Sequence, residues 1–535
     1  MPKLTRRDIG PWPLLFTGLG SIIGSGWLFG AARAAAIAGP GAIFAWIIGA
    51  VVVLVVAAVS AELGGMFPVS GGMVRYARVT HGGLVGFLAA WANWLSVVST
   101  IAVEAEASIQ YMSSWPYAWT QALYRDGELS PLALVLAGAL VVVYFLVNYW
   151  SVAVFAKSNA TITVFKLVVP TITGLALIYA AFHMGNVTGH VPGTGGFLPF
   201  GGAGVLTAVA TSGIVFAFNG FQNPLSLAGE ARDPDRSIPF AVIGSVAIAV
   251  GVYLLLQIAF LGAIDPARLQ SVGWAGLGFS SPFAQLALLF GLGWLAVLLY
   301  FDAFVSPSGT GITYTAVAAR MVLGMQRNGT APQLFGQVDA RYGVPRPAMW
   351  FNLLVAFAFL YFFRGWGPLM AVISVSIVIT YLMVPVAALT LRARAPGLRR
   401  PVRLPAMGVV APLAFVFASE LLYWARWPLT GEIILLLAAG LPIYAWYQRG
   451  ASWTRLQEDL RAAGWFVLYL AMMAGLSWIG STQFGGLGVI PYGWDMLVVA
   501  GLALVFCLWG ARSGLPQPAL AEITEPEADA PAAAA

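Results

Sequence analysis

Apolar runs without a charged residue recur along this 535-residue chain, at 129–156, 237–264, 269–301 and 365–391. Each exceeds the roughly 20 residues that a helix needs to cross the hydrocarbon of a bilayer. Polar and basic clusters punctuate the runs, and the pattern predicts about fourteen spans. They fall near 13–36, 41–63, 84–112, 131–150, 158–183, 203–228, 238–263, 282–318, 347–363, 367–391, 407–424, 430–447, 464–481 and 493–510. The expected fold class is an all-α polytopic membrane protein.

The first span breaks the pattern. It carries Gly18-Leu19-Gly20-Ser21-Ile22-Ile23-Gly24-Ser25-Gly26-Trp27-Leu28-Phe29-Gly30 where a membrane helix should be continuous. Each interior glycine costs about 1 kcal/mol relative to alanine. An unpaired backbone group is expensive in lipid, so a break persists only where protein or a water-filled cavity serves it. Span six holds a second interruption, Phe216-Ala217-Phe218-Asn219-Gly220-Phe221-Gln222-Asn223-Pro224. Pro224 removes a donor and clashes with the preceding turn. Asn219, Gln222 and Asn223 are costly in lipid but useful at a cavity. Interrupted spans at matching positions of two five-span halves point to a transport site between inverted repeats. The freed amides at Ile23, Gly24, Ser25 and Gly26 suit a carboxylate, and carbonyls around Phe216, Ala217 and Asn219 suit an ammonium. Together they select an α-amino acid. The competing reading of the glycines is close helix packing.

Composition agrees with a membrane protein. Hydrophobic residues make up 60% of the chain and charged residues 9%, against about 25% charged in soluble domains. The pI near 9.4 is explained by where the basic residues lie. Of 27, 21 fall on the N-terminal side of the predicted spans, five on the other, and Lys166 within a span. The positive-inside rule then places both termini in the cytoplasm and the chain in the cytoplasmic (inner) membrane. The basic balance therefore reports topology, and nucleic-acid binding is not expected. Lys3, Arg6 and Arg7 look like the charged start of a signal peptide, but the apolar segment behind them is too long. The single cysteine, Cys507, excludes a disulfide framework and a cysteine-based metal site.

Spans one to ten form the expected core, residues 1–391. A basic, proline-containing linker follows at 392–405, then four more spans at 406–512. The tail, 513–535, is rich in Pro, Ala and acid and is expected to be disordered.

The combination of motifs resembles the amino acid–polyamine–organocation (APC) permeases. Ile23-Gly24-Ser25-Gly26 is similar to their span-one signature. Ala61-Glu62-Leu63, Phe67-Pro68-Val69-Ser70-Gly71-Gly72, Tyr76 and Gly86-Phe87 resemble the family's segment between spans two and three. Phe216 to Gln222, followed by Gly229-Glu230-Ala231-Arg232-Asp233-Pro234, resembles its sixth span and exit loop, and Lys166-Leu167 its span-five lysine. The resemblance covers roughly residues 10 to 450. It implies the LeuT-type fold, a 5+5 inverted repeat with broken helices one and six and alternating access. Most members have twelve spans, two fewer than expected here. Gly26 to Gly30, Val103-Glu104-Ala105-Glu106-Ala107 and Ser306-Pro307-Ser308-Gly309-Thr310-Gly311 resemble a long prokaryotic branch that includes aspartate:proton symporters.

An ionisable residue within a span is a functional hypothesis by default. Lys166 lies well inside span five. Burial disfavours its charged form, so it can release a proton. The resemblance implies that it stands in for the sodium of sodium-coupled relatives, which makes protons the expected coupling ion. The alternative is snorkelling to the membrane surface. Glu104 and Glu106, two residues apart on span three, point to different sides, so one of them is expected to line the path. Asp302, near Ser306, Ser308 and Thr310, reads equally as proton relay or helix pairing. Glu62 reads as a transport residue or as a structural partner of Arg75 or Arg78. Glu420, Glu432 and Asp495 read as structural. Trp12, Trp27, Trp91, Trp94, Trp150, Trp424 and Trp427 fall near span ends, where anchoring at the interface is the default. Phe216 matches the family's substrate-gate aromatic, and Gln222 stands where the motif often has Glu.

Enzyme signatures are missing. His81, His183 and His190 sit in or beside expected loops and far apart, and no HExxH, P-loop, nucleophile elbow or CxxC occurs. Neither cofactor nor metal is expected. The expected function is secondary active import of an α-amino acid by proton symport. The alternatives are amino acid or polyamine exchange, and a membrane sensor that binds an amino acid without moving it. The expected partners are the amino acid, protons and lipid. The pattern says nothing about oligomeric state.

Overall fold

The computed structural model describes residues 9–67, 72–150, 152–339, 341–450 and 452–516. The expected disordered tail from residue 517 onward, and Pro68 to Gly71 of the motif after span two, lie outside the described residues. The chain is helical almost throughout. Its only strands among the described residues are a short antiparallel pair, β1 (Tyr124–Arg125) and β2 (Glu128–Leu129).

Span one consists of α1 (Pro11–Ile22) and α2 (Gly26–Ala38), and span two is α3 (Ala42–Met66). Next come α4 (Gly72–Met112), α5 (Pro131–Trp150) and α6 (Val152–Ala180). Span six is split into α7 (Gly201–Thr211), α8 (Ile214–Phe218) and α9 (Asn223–Ser226). Then follow α10 (Pro234–Ala263), α11 (Pro282–Leu289), α12 (Gly293–Arg327), α13 (Arg346–Phe362) and α14 (Trp366–Arg394). The last four spans are α15 (Met407–Trp424), the pair α16 (Leu429–Ala438) and α17 (Gly440–Gln448), α18 (Trp453–Ile479) and α19 (Trp494–Ser513).

Among the described residues, eleven runs are long and apolar enough to cross a membrane, twelve when bent span six is included. One run, Gly26–Met66, turns at Gly39–Gly41 and holds the end of span one and all of span two, and α13 is a shorter apolar helix. Dividing the first and including the second brings the number to fourteen, as the hydropathy pattern predicts. The expected single span 282–318 is instead α11 and α12, divided by a turn at 290–292.

Spans one and six run in opposite directions. Ile9 N donates to Glu230 O (3.1 Å) and Arg232 N to Ile9 O (2.9 Å), joining the start of span one to the exit of span six. Gly41 N donates to Phe197 O (3.0 Å), joining the far ends. Corresponding spans of an inverted repeat must lie this way. At the centre stands α14, with 94% of its apolar window buried, against 28% for α19 at the periphery. Large apolar side chains such as Val135, Tyr179, Val297, Leu354 and Leu435 face outward, a surface suited to lipid tails.

The C-terminal spans grip α4 where it kinks. Gly82, with φ of 82° and ψ of −165°, interrupts the helix. The Asp459 carboxylate accepts from Gly83 N (2.9 Å) and from the Tyr444 hydroxyl (2.9 Å). His81 is fully buried, its ring nitrogens paired with Thr80 Oγ1 and Gly510 O (both 2.8 Å). The loop expected around His81 is thus a tertiary joint inside a helix. The interfacial reading of the tryptophans also needs correction. Trp12 and Trp150 are exposed, but Trp27, Trp94 and Trp424 are buried, and Trp94 Nε1 donates to Asn352 Oδ1 (2.8 Å).

Candidate functional site

The break in span one is confined to Ile23, Gly24 and Ser25. Gly18, Gly20, Gly26 and Gly30 remain helical, and several serve close packing. A Cβ on Gly18 would meet Ser245 and Pro224, and one on Gly30 would meet Trp46. The run thus contains both a helix break, at Ile23 to Ser25, and glycines that serve close packing. At the break, Ile23 N donates to Leu19 O (2.9 Å) and Gly24 N to Ile22 O (3.1 Å). Ser25 N turns away from the helix and donates to Glu104 Oε2 on α4 (2.9 Å). Gly24 lies against the same carboxylate. A Cβ there would stand 2.5 Å from Glu104 Oε1 and 3.0 Å from Thr310 Oγ1. Gly26 faces span six instead, where a Cβ would meet the Cα and Cβ of Ala217 at 3.0 and 2.9 Å.

Span six bends first at Gly213, then unwinds over 219–222. The unwinding starts earlier than Pro224 alone implies. Gly220 makes it possible. Its φ is 121°, and a Cβ would press on the backbone of Ser21 at 2.6 Å. The loop's polar side chains mostly serve the loop itself. Gln222 Oε1 accepts from Gly220 N (3.0 Å), and Gln222 Nε2 donates to Asn219 Oδ1 (2.7 Å). Asn223 Nδ2 donates to Ser21 Oγ (2.7 Å) and ties the two broken spans together. The hydroxyl of Tyr253, on α10, lies within donor distance of Ile22 O (3.2 Å) and Ala217 O (2.9 Å), one on each broken span.

Lys166 is buried and does not snorkel. Its ammonium donates to Gly20 O (2.9 Å) beside the break and to Thr310 Oγ1 (2.8 Å) on α12. It thereby links α6 to span one and α12. Glu104 and Asp302 are the carboxylates whose charge it feels. Asp302 is fully buried, with Oδ1 accepting from Ser306 Oγ (2.6 Å). Among the described residues its Oδ2 and Glu104 Oε1 find no hydrogen-bond partner. The two span-three glutamates part company. Glu104 faces the break, whereas Glu106 lies by the backbone of Gly365, with Tyr124 nearby. The two glutamates thus serve different parts of the bundle.

Two side chains of the site carry no signal of their own in the sequence. Trp366, the first residue of α14, donates from Nε1 to Ser25 Oγ (2.8 Å). Its ring packs on Phe29 (centroids 5.0 Å apart) and edge-on to Phe216 (5.9 Å), under the guanidinium of Arg33. Phe216 and Trp366 together cover the break. Tyr253 is the other. Glycines flanking Trp366, in Gly365-Trp366-Gly367, are the only local hint, and a tryptophan at a span start reads by default as an interfacial anchor. Glu62 belongs elsewhere. It pairs with Arg392 (2.7 Å) and lies near Arg400, not with Arg75 or Arg78 as its sequence neighbourhood suggests. Asp495 accepts from the Tyr423 hydroxyl (2.7 Å) within the C-terminal spans.

A family of amino acid permeases matches residues 9–435. The glutamate/serine transporter AimA of Bacillus subtilis (strain 168) is 52% identical over 517 residues, spanning 96% of this chain and 95% of that protein. The aspartate-proton symporter of the same organism is 35% identical over 525 residues, 96% and 98% of the two chains. The branched-chain amino acid permease BcaP, also from that organism, is 25% identical over 459 residues, 84% and 95%. These relatives carry transporter names, and none is named as an enzyme.

Proposed function

The chain belongs to the amino acid permease family, and from that premise we propose that it imports a small polar or acidic amino acid together with a proton. One observation carries the reading. Ser25 N, freed by the break in span one, already holds a carboxylate, that of Glu104, at 2.9 Å. The α-carboxylate of an amino acid presents the same pair of oxygens to the same amide. On arrival it takes the place of Glu104. The displaced side chain then holds a proton more readily, because it has lost a donor inside the bundle. Substrate and proton thus enter the same cycle. The substrate's ammonium goes to the carbonyls of Phe216, Ala217 and Asn219, with Ile23, Gly24, Gly26 and Gln222 shaping the cradle. Phe216 closes over it.

Lys166 supplies the second half of the coupling. Protonated, it ties α6 to span one and α12 through Gly20 O and Thr310 Oγ1. Neutral, it holds them more weakly, so the repeats can part. Asp302 shares its field. The names of the relatives support glutamate, aspartate or serine as the substrate class. The chain sits in the cytoplasmic membrane with both termini inside. Residues 1–391 form the transport core, 392–405 the linker and 406–512 the added spans, a division supported by the end of α14 at Arg394 and the start of α15 at Met407.

The test is uptake by the purified chain in liposomes of labelled glutamate, aspartate, serine and lysine, under a proton or a sodium gradient. Uptake of one of the first three driven by the proton gradient is expected. Preference for lysine would overturn the substrate class. Equal driving by sodium would overturn the coupling. Binding without uptake would favour the sensor.

A further inference from the structure

Where α14 ends, the chain folds back into a cavity of about 250 Å³ lined by Arg392, Pro396, Leu398, Arg400 and Arg403. That is the volume of roughly eight waters. Three guanidiniums line it, and one carboxylate, Glu62, stands behind them. Glu62 is heavily committed. It accepts from Arg392 Nε (2.9 Å) and Nη2 (2.7 Å) and from Leu404 N (2.7 Å). Arg400 is held rigidly by four backbone carbonyls, those of Leu391, Ala395, Pro396 and Leu398, each at 3.0 Å. Its side chain is only 9% exposed, and its Nε, 3.9 Å from Glu62 Oε1, is buried without a hydrogen-bond partner. Arg403 is exposed and pairs with no acid among the described residues. By contrast its neighbour Arg399 is neutralised by Asp235 at 2.8 Å. Topology explains why arginines gather here. It does not explain a cavity with two surplus positive charges and an orphaned donor.

We propose that this cavity binds a phosphate-class anion, either the phosphodiester of an anionic lipid headgroup or free phosphate. Guanidinium groups match phosphate oxygens bidentately. Arg400 supplies fixed charge rather than hydrogen bonds, since its four Nη hydrogens are given to carbonyls. Arg392 retains Nη1 for a further acceptor, and Arg403 is free to swing over the mouth. An occupant would also sit beside the Glu62–Arg392 pair that fastens α3 to α14, so its charge bears on that joint.

The full chain in detergent is titrated at constant ionic strength with inorganic phosphate and, separately, with short-chain phosphatidylglycerol. Short-chain phosphatidylcholine serves as control, and the thermal midpoint is followed. The expected result is a saturable rise with at least one anionic probe and none with phosphatidylcholine. The probe that acts identifies the source. Arg403→Gln should weaken the apparent affinity about tenfold, the size of one lost charge-assisted hydrogen bond. Arg399→Gln, outside the cavity, should leave it unchanged. Arg403 makes no structural bond, so its variant remains testable if Arg400→Gln fails to fold. No saturable rise with either anion would overturn the proposal. So would an unchanged affinity in Arg403→Gln, or an equal loss in Arg399→Gln.

Discussion

Lys166→Met keeps most of the unbranched side chain and deletes its charge. Two hydrogen bonds disappear, to Gly20 O and Thr310 Oγ1. Bonds involving a charged group contribute about 1.5–3 kcal/mol each. Removing one partner of a buried charge pair costs about 3–5 kcal/mol, because the other is left uncompensated. The first loss falls on Gly20 O and Thr310 Oγ1, and the loss of countercharge on Glu104 and Asp302, which lie in its field without a direct ion pair; each is on the order of a few kcal/mol. A second substitution separates charge from function. In Lys166→Met/Glu104→Gln one stranded carboxylate is neutralised, and neighbours of this kind couple by about 0.5–3 kcal/mol. The double variant should therefore be more stable than the sum of the single losses allows. It should still not concentrate substrate, since both proposed proton-handling groups are gone. Lys166→Arg is the third arm. Its guanidinium keeps its proton at all relevant pH values, and α12 packs closely here, a Cβ on Gly309 lying 3.2 Å from Lys166 Cε. It should bind substrate but not cycle. The assays are thermal stability in detergent and uptake into liposomes with and without an inward proton gradient. Proton-driven uptake by Lys166→Met at the wild-type rate would refute the coupling role. Strictly additive stability losses would refute the charge pairing.

Phe216→Ala should weaken substrate affinity by about 1–3 kcal/mol through lost aromatic cover; unchanged binding by calorimetry would move the gate to another side chain. Trp366→Phe keeps the ring but not the bond to Ser25 Oγ, and should cost about 1 kcal/mol of affinity, whereas Trp366→Ala should also speed exchange of bound substrate; equal exchange rates in the two would argue against a lid. Gly24→Ala should abolish uptake with membrane insertion intact, because the new methyl displaces the Glu104 carboxylate; normal transport would show that Glu104 need not rest there. Gly26→Val should also stop uptake, but through the backbone of Ala217, so a paired Ala217→Gly change should restore part of it.

Much of this arrangement is legible along the chain because lipid leaves few options. Fourteen apolar runs become fourteen spans, and the glycine run at 18–30 and the Asn-Gly segment at 219–220 are where span one and span six lose their helix. The depth of Lys166 in its span argues against snorkelling, and its burial in the structure excludes it. Its partners on span one and α12 belong to tertiary structure. Trp366, Tyr253 and the pairing of Glu62 with Arg392 were not legible for that same reason. Each depends on a partner more than 200 positions away along the chain: Ser25 for Trp366, Ile22 for Tyr253 and Arg392 for Glu62. Nor does local composition separate a glycine that unwinds a helix, such as Gly24, from one that lets two helices touch, such as Gly18. His81-Gly82-Gly83 reads as a loop, yet three distant groups, Gly510, Asp459 and Tyr444, hold it within a kinked helix. The tryptophan default fails wherever an indole finds an interior acceptor, as Trp94 does with Asn352.

The Tyr253 hydroxyl has a single hydrogen to give. It faces two carbonyls, Ile22 O and Ala217 O, on spans that run in opposite directions. Ile22 O also accepts from Gly24 N (3.1 Å), so it keeps a donor when the hydroxyl turns to Ala217 O. Rotation about one C–O bond exchanges one hydrogen bond for another and moves the tie from one broken span to the other. On the function proposed above, an ammonium arriving at Ala217 O would bring its own hydrogens to that carbonyl and leave the hydroxyl to Ile22 O.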